Sequence, residues 1–128
     1  MIVLDTHAWI WWAGKSSRLS KRARKACESA DELAVSAITL WETAMLVAKE
    51  RLGFDRDVEL WIRQALALPS IRLEPLTPSI AVRSTRLPGS FHGDPADRII
   101  VATALEHGAS VVTRDAKLRD YQHLKTIW

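Results

Sequence analysis

Short apolar runs alternate with stretches of helical periodicity along the chain, and this pattern predicts strands that alternate with helices. The apolar runs predict strands at residues 1–4, 33–36, 71–73, 110–113 and 124–128. Helical spacing with cap signals predicts helices at 6–13, 20–30, 39–51, 58–68, 79–86, 95–107 and 115–121. Strands and helices in this order predict an α/β fold with a central, mostly parallel sheet.

Composition is typical of one soluble globular domain that spans residues 1–128. The chain is 48% apolar, and a domain of this size builds a core without metal or disulfide staples. The one cysteine, Cys27, excludes an internal disulfide, indicates a reducing compartment and is expected to be buried. Asp5 and His7 interrupt the apolar start, and no run approaches the ~20 apolar residues of a membrane span. We therefore expect a cytoplasmic protein with no membrane partner.

Acidic residues follow the predicted strands at the points where the next helices begin. In a parallel α/β sheet, chemistry takes place beyond the carboxyl ends of the strands. The acids that the predicted elements place at this edge are Asp5, Glu42, Asp94, Asp97 and Asp115. Far apart in sequence, they are expected to share one edge of the sheet.

Each of these acids also has a purely structural explanation as a helix cap. Thr39 to Glu42 has the spacing of a capping box, and Asp94 precedes a proline at the first helical position. Capping does not require all of them to converge, however, and grouped carboxylates repel one another. A divalent cation relieves that repulsion, and an oxygen-only ligand set favours Mg²⁺ or Mn²⁺ over zinc. Such ions suit the hydrolysis of phosphodiesters.

Four short segments together resemble the PIN-domain nucleases, and most of all the VapC-type toxins of toxin–antitoxin pairs. They read Ile-Val-Leu-Asp-Thr at 2–6, Ser-Ala-Ile-Thr-Leu-Trp-Glu at 36–42, Asp-Pro-Ala-Asp-Arg-Ile-Ile-Val-Ala-Thr-Ala at 94–104 and Val-Val-Thr-Arg-Asp at 111–115. They occur in the family's order and extend over nearly the whole chain. The resemblance implies a three-layer fold and an acidic pocket that binds Mg²⁺ or Mn²⁺ and cuts single-stranded or looped RNA.

The resemblance also assigns roles to residues of this chain. It places the catalytic and metal-binding acids at Asp5, Glu42, Asp97 and Asp115. Asp97 is assigned because it directly precedes the apolar helical run, and Asp94 either caps that helix or joins the site. The supporting candidates are the hydroxyls of Thr113 and, less strongly, Ser36, together with Arg98 and Arg114, which either neutralise the phosphate or form exposed ion pairs. The implied partners are RNA, a second copy of the chain and an antitoxin that lies across the active-site groove.

The net charge of +3 conceals a basic segment between residues 15 and 25. It contains six bases and no acid, namely Lys15, Arg18, Lys21, Arg22, Arg24 and Lys25. On a helix these bases face away from the apolar stripe. They form either an ordinary solvated face or a surface that steers RNA toward the acidic pocket.

Aromatic and histidine positions leave several alternatives open. Trp9, Trp11 and Trp12 make the first helix apolar on more than one side, which indicates either core packing or contact with another chain. The pairs Trp41 with Met45 and Trp61 with Ala65 are expected in the core. Among the four histidines, His92, which lies near Asp94 in a glycine-rich loop, is the one candidate for contact with substrate or metal.

Two other functions compete with the ribonuclease interpretation. A phosphatase with Asp5 as nucleophile shares the same chemistry, but the second acid of its usual Asp-x-Asp motif is replaced by His7. A catalytically idle PIN-like module that binds RNA or protein is the alternative from a different class. Metal titration separates the enzyme from the idle module.

Overall fold

The computed structural model describes residues 1–128 and contains one five-stranded sheet in which every pairing is parallel. The strand order is β3-β2-β1-β4-β5. The strands are β1 (Ile2–Leu4), β2 (Leu33–Ser36), β3 (Ile71–Glu74), β4 (Ser110–Val112) and β5 (Thr126–Ile127).

Seven helices connect and cover these strands. They are α1 (Thr6–Ala13), α2 (Lys21–Ser29), α3 (Ala37–Ala48), α4 (Val58–Leu66), α5 (Pro78–Ser84), α6 (Pro95–His107) and α7 (Ala116–Arg119). None of these helices is long and apolar enough to cross a membrane.

The sheet separates two buried clusters, as its alternating side chains require. Val3 faces the same side as its register partners Ala34 and Val111, and this side packs against α5 and α6. The next residue, Leu4, faces the opposite side, where it joins a cluster with α1, α2 and α4. Helices on both faces of a parallel sheet make three layers, so the predicted fold class is confirmed.

Parallel pairing brings the carboxyl ends of all five strands to one edge of the sheet, here called the carboxyl edge. The helices α1, α3 and α7 begin there, because Asp5, Ser36 and Asp115 end a strand or lie just beyond one and cap the helix that follows. The connection from β3 crosses the sheet before α6 returns its chain to β4. This topology sets the first turns of several helices around a common space.

Helix α3 differs from the sequence prediction in both its start and its buried face. It begins at Ala37 with Ser36 as the cap, so the expected capping box from Thr39 is wrong. Thr39 and Thr43 form the buried face of α3. Trp41 lies two residues from each of these threonines, which corresponds to about 200° of rotation around the helix axis. Trp41 therefore faces away from the core and is 59% exposed. The expected core position of Trp41 is therefore wrong, and Met45 is only half-buried.

The remaining core expectations were more successful. Trp9 and Trp61 are both buried, with ring centroids 5.1 Å apart and an edge-to-face arrangement. Cys27 is buried as predicted, and desolvation raises the pKa of its thiol to about 11. The last strand and last helix are shorter than predicted.

Candidate active site

A cavity of about 520 Å³, which we call the carboxylate cavity, opens at the carboxyl edge of the sheet. All five acids that the sequence placed at this edge line it, namely Asp5, Glu42, Asp94, Asp97 and Asp115. They come from four separate segments of the chain, so their proximity is a product of the topology.

Asp5 occupies the deepest position among the five acids. It follows β1 directly, its backbone N–H donates to the carbonyl of Val112 at 3.2 Å, and its side chain is 9% exposed. Its Oδ1 caps α1 by accepting from the N–H of Ala8 at 2.8 Å. Desolvation raises the pKa of Asp5, and hydrogen bonds from Thr113 and Ala8 act against that rise.

Glu42 lies in the second turn of α3 and is half-buried. The hydroxyl of Thr6, at the start of α1, donates a hydrogen bond to Glu42 Oε1. This bond joins the two helices that follow the central strands and fixes the direction of the carboxylate. No sequence argument had given Thr6 a role, although it directly follows Asp5.

Asp94 and Asp97 lie at the start of α6 and have different local roles. Asp94 caps the helix by accepting from the N–H of Asp97 at 3.0 Å. The pKa of Asp97 rises to about 7, chiefly because of burial and then because of the charges of Asp94, Asp115, Glu42 and Asp5. The charges of these four carboxylates thus add to the effect of burial at Asp97.

Asp115 caps α7 and lies on the exposed rim of the cavity. Its Oδ1 accepts from the N–H of Lys117 at 2.8 Å. The fully buried Thr113 accepts from the N–H of Asp115 at 3.0 Å and also hydrogen-bonds to Asp5. Thr113 therefore connects two of the acids.

The donor set fits a hard divalent cation that keeps part of its water shell. The acids offer oxygen atoms only, and repulsion among them destabilises the ionised cluster in the absence of a cation. No three His, Cys, Asp or Glu side chains are already arranged as a closed ligand set. Ions such as Mg²⁺ need only one or two direct carboxylates together with water and substrate phosphate, which is compatible with this open arrangement.

Comparison with known proteins agrees with this architecture. Residues 2–124 match the family described as PIN domain. The chain belongs to the PIN-domain family. It is 44% identical to Ribonuclease VapC22 of Mycobacterium tuberculosis, over 99% of this chain and 98% of that protein.

Solved structures share the fold of this PIN domain over nearly its whole length. A chain of the toxin-antitoxin complex from Klebsiella pneumoniae matches with a TM-score of 0.67 at 25% identity, covering 97% of this chain and 95% of that one. A chain of VapBC2 from Rickettsia felis matches with a TM-score of 0.68 at 16% identity, covering 98% and 97%. The α/β architecture predicted from the sequence is therefore that of the family.

Two supporting residues of this PIN domain have roles other than those considered from sequence. Arg98 does not line the cavity, and its guanidinium donates to the carbonyl oxygens of Ser84, Phe91 and His92 at 2.8, 3.0 and 3.1 Å. It forms no ion pair, so the exposed ion pair considered for it is wrong. Ser36 is buried as the cap of α3 and does not line the cavity. Both assignments depend on how the chain folds back, which short motifs do not reveal.

The cavity wall includes cations and His7, and a second histidine, His92, contacts one of the acids. Arg114 lines it as expected, and Arg18 and Lys117 join it without having been singled out as site residues. Nε2 of His92 lies 3.2 Å from Oδ2 of Asp97, and Nδ1 of His92 accepts a hydrogen bond from the N–H of Asp94 at 3.3 Å. The basic side chains at the rim therefore surround an acidic centre.

Proposed function

We propose that this protein is a metal-dependent endoribonuclease toxin of a toxin–antitoxin pair, with residues 1–128 acting as one cytoplasmic catalytic domain. The observation that carries the proposal is the convergence of five carboxylates in one cavity, where burial and then the charges of the neighbouring carboxylates raise the pKa of Asp97 to about 7. The 44% identity to Ribonuclease VapC22 over the whole chain supports the same activity.

Asp5, Glu42, Asp97 and Asp115 would hold Mg²⁺ or Mn²⁺. When bound, such an ion supplies a water of lowered pKa and positive charge beside the phosphate. The protein contributes the positions of its ligands. Thr6 orients Glu42, and Thr113 orients Asp5 and Asp115, so these carboxylates need little rearrangement when they bind.

Cations at the rim would hold the RNA backbone against the repulsion of the acids. Arg18, Arg114 and Lys117 line the same cavity as the carboxylates and are exposed to solvent. The bases of α2 extend this positive surface beyond the cavity, with Lys21, Arg22 and Lys25 exposed. Such a surface attracts polyanions through their phosphates, largely without regard to sequence.

An antitoxin and a second copy of the chain are the proposed protein partners. Related structures are described as a toxin-antitoxin complex and as VapBC2 bound to a promoter DNA fragment, which supports an assembly of this kind. The exposed indole of Trp41 and the half-buried Trp11 and Trp12 leave aromatic surface for such contacts.

Chelator-sensitive cleavage of RNA tests the proposed activity. The purified protein should cut a labelled RNA in Mg²⁺ or Mn²⁺, stop in excess EDTA and leave 5′-phosphate and 3′-hydroxyl ends. Asp97→Asn should abolish cleavage. Asp31→Asn, the same substitution in an exposed acid that precedes β2, is the matched control and should cut like the wild type.

The idle-module alternative makes the opposite prediction. A folded protein that binds RNA but cuts nothing in either metal would support that alternative. Cleavage that persists in EDTA or in Asp97→Asn would contradict the carboxylate mechanism and point to contamination or to different chemistry.

A further inference from the structure

A second cavity, of about 370 Å³, adjoins the carboxylate cavity and shares Lys117 with it. We call it the aromatic cavity. Eight residues line it, namely Ser90, Phe91, His92, Lys117, Asp120, Tyr121, Gln122 and His123. Its volume lies within the range of small-molecule sites. It is not explained by the proposed catalytic residues.

The loop that forms one wall of the aromatic cavity is held in a fixed shape although residues 87–94 contain no helix or strand. The guanidinium of Arg98 donates hydrogen bonds to the carbonyls of Phe91 and His92 in this loop. The hydroxyl of Tyr121 donates a hydrogen bond to the carbonyl of Pro88. These bonds keep the cavity open without a ligand, which lowers the ordering cost of binding.

Gly89 brings the same loop close to His123. Gly89 has a φ of +67°, and a Cβ added there would lie only 3.2 Å from His123 Nε2. A side chain at this position would therefore displace the imidazole as well as strain the backbone. The loop and the segment after α7 are fitted to each other.

The walls of the aromatic cavity have the chemistry of a site for a flat, polar ring. Tyr121 is buried and packs against Phe91 and His123, with ring centroids 4.8 and 5.4 Å apart, so the half-buried ring of Phe91 and the exposed imidazole of His123 are the aromatic surfaces left for a ligand. Gln122 and His123 are exposed at the opening and offer hydrogen-bond donors and acceptors. Unpaired RNA bases are recognised by this combination of aromatic stacking and polar contacts to the base edge.

The aromatic cavity also has a defined spatial relation to the proposed reaction centre. Lys117 lies between the two cavities, and none of the ion pairs in the structure occupies its ammonium group. His92 forms part of the wall and approaches Asp97 to 3.2 Å. A strand with one phosphate at the acids would reach Lys117 with the next phosphate and the aromatic cavity with the base beside it.

We propose that the aromatic cavity binds one unpaired base of the RNA next to the scissile phosphate and so contributes to the choice of cleavage site. This inference rests on the proposed ribonuclease function and adds a substrate-binding site to it. A polar, ring-lined cavity beside a free cation favours a nucleotide over an apolar protein segment.

Binding to RNA that lacks single bases tests this proposal without requiring cleavage. In the Asp97→Asn background, a single-stranded RNA is scanned with one abasic position at a time, and affinity is measured by fluorescence anisotropy. We expect one position to lose affinity by about 5- to 100-fold, the range of one base stacked on an aromatic side chain. The added double substitution Gln122→Ala/His123→Ala should remove that position dependence.

Two controls make the result decisive. Gln64→Ala changes the only other glutamine, exposed on α4, and should keep the position dependence. Gln122→Ala alone changes only an exposed side chain and should reduce the position dependence. This single variant gives a result even if the double variant misfolds.

The outcomes separate this proposal from the proposed function. Equal affinity for every abasic RNA, or full position dependence in both cavity variants, would overturn the base site and leave the ribonuclease proposal standing. Cavity variants that bind RNA like the parent but no longer bind a protein antitoxin would also overturn it. A protein that neither binds nor cuts RNA would overturn both proposals.

Discussion

Three of the site carboxylates are at once helix caps and walls of the cavity. Asp5, Asp94 and Asp115 each accept a backbone N–H through Oδ1 and also line the carboxylate cavity. A cap uses one carboxylate oxygen and leaves the other free. The structural and functional interpretations of these acids are therefore compatible, and local sequence signals alone cannot separate them.

Asp97 should make the metal-free protein less stable at neutral pH. Its pKa is about 7 in the folded protein against 3.8 as the ordinary value. The folded state thus holds the proton more tightly, and its stability falls as the pH rises from about 4 through 7. We expect Asp97→Asn to raise the unfolding free energy at pH 8 by roughly 1 to 3 kcal/mol in EDTA, measured by urea denaturation.

The dependence of the unfolding free energy on pH and on metal provides controls for this variant. Near pH 3 the stability gain should nearly vanish, because the wild-type carboxyl group is then largely protonated in both states. Saturating Mg²⁺ should stabilise the wild type more than Asp97→Asn. An Asp97→Asn protein that is less stable than the wild type at pH 8 in EDTA would contradict the assigned repulsion.

Arg98 should matter for folding more than for phosphate binding. Its guanidinium makes one hydrogen bond to the carbonyl of Ser84 at the end of α5 and two to carbonyls of the loop, and its removal takes away the donor of all three. Arg98→Ala is expected to lower the unfolding free energy by about 2 to 4 kcal/mol. Arg114→Ala, an exposed arginine at the cavity, should change it by less than about 0.5 kcal/mol. Equal effects of the two substitutions would refute this distinction.

At the scale of elements, the strands and most helices could be predicted because their signals are local. Short segments rich in apolar residues marked the five strands, although Arg72 interrupts β3 and Thr126 lies in β5, and Ser20 and Asp94 marked the starts of α2 and α6. The start of α3 was misplaced because Ser36 ends β2 and caps the helix without a linker. The aromatic cavity could not be foreseen, since it depends on how loop 87–94 meets the segment after α7.

Helix α2 provides the element-scale test of electrostatic steering. Ala23 and Cys27 are buried, and Lys21, Arg22 and Lys25 are exposed. The double substitution Lys21→Ala/Arg22→Ala should weaken RNA binding. It should also lower the slope of log affinity against log salt by about 0.7 for each phosphate that the protein no longer neutralises. Fluorescence anisotropy over a KCl series measures that slope.

A matched pair of charges elsewhere serves as the control. Lys49→Ala/Arg51→Ala removes two exposed bases just after α3, outside both cavities, and should leave the slope near the wild-type value. Identical slopes for the two double variants would favour the ordinary solvated face over steering.

At the scale of the whole molecule, the modest net charge of +3 is the sum of opposed regions. Five of the 15 acids line one cavity at the carboxyl edge, and six of the 18 bases fall between residues 15 and 25. Arg18 belongs to the basic segment and also lines the carboxylate cavity. The molecule thus places a phosphate-attracting surface beside a cation-attracting centre, as cleavage of RNA requires.

The convergence of the acids could be predicted at this scale because it follows from topology. Once the strands are parallel, residues that follow them share an edge, whatever their separation in sequence. The orientation of individual side chains did not follow. The hydrogen bond from Thr6 to Glu42 and the contact between His92 and Asp97 depend on the relative positions of elements that only the folded chain defines.

The central claim is that the converging carboxylates hold a divalent cation. Its most direct test is a crystal of the protein grown or soaked in Mn²⁺ and measured at the manganese absorption edge. The account predicts an anomalous difference peak in the carboxylate cavity, bound by oxygens of at least two of Asp5, Glu42, Asp97 and Asp115, and absent from an Asp97→Asn crystal. A cavity without a peak at saturating Mn²⁺, or a peak only elsewhere on the protein, would contradict the claim.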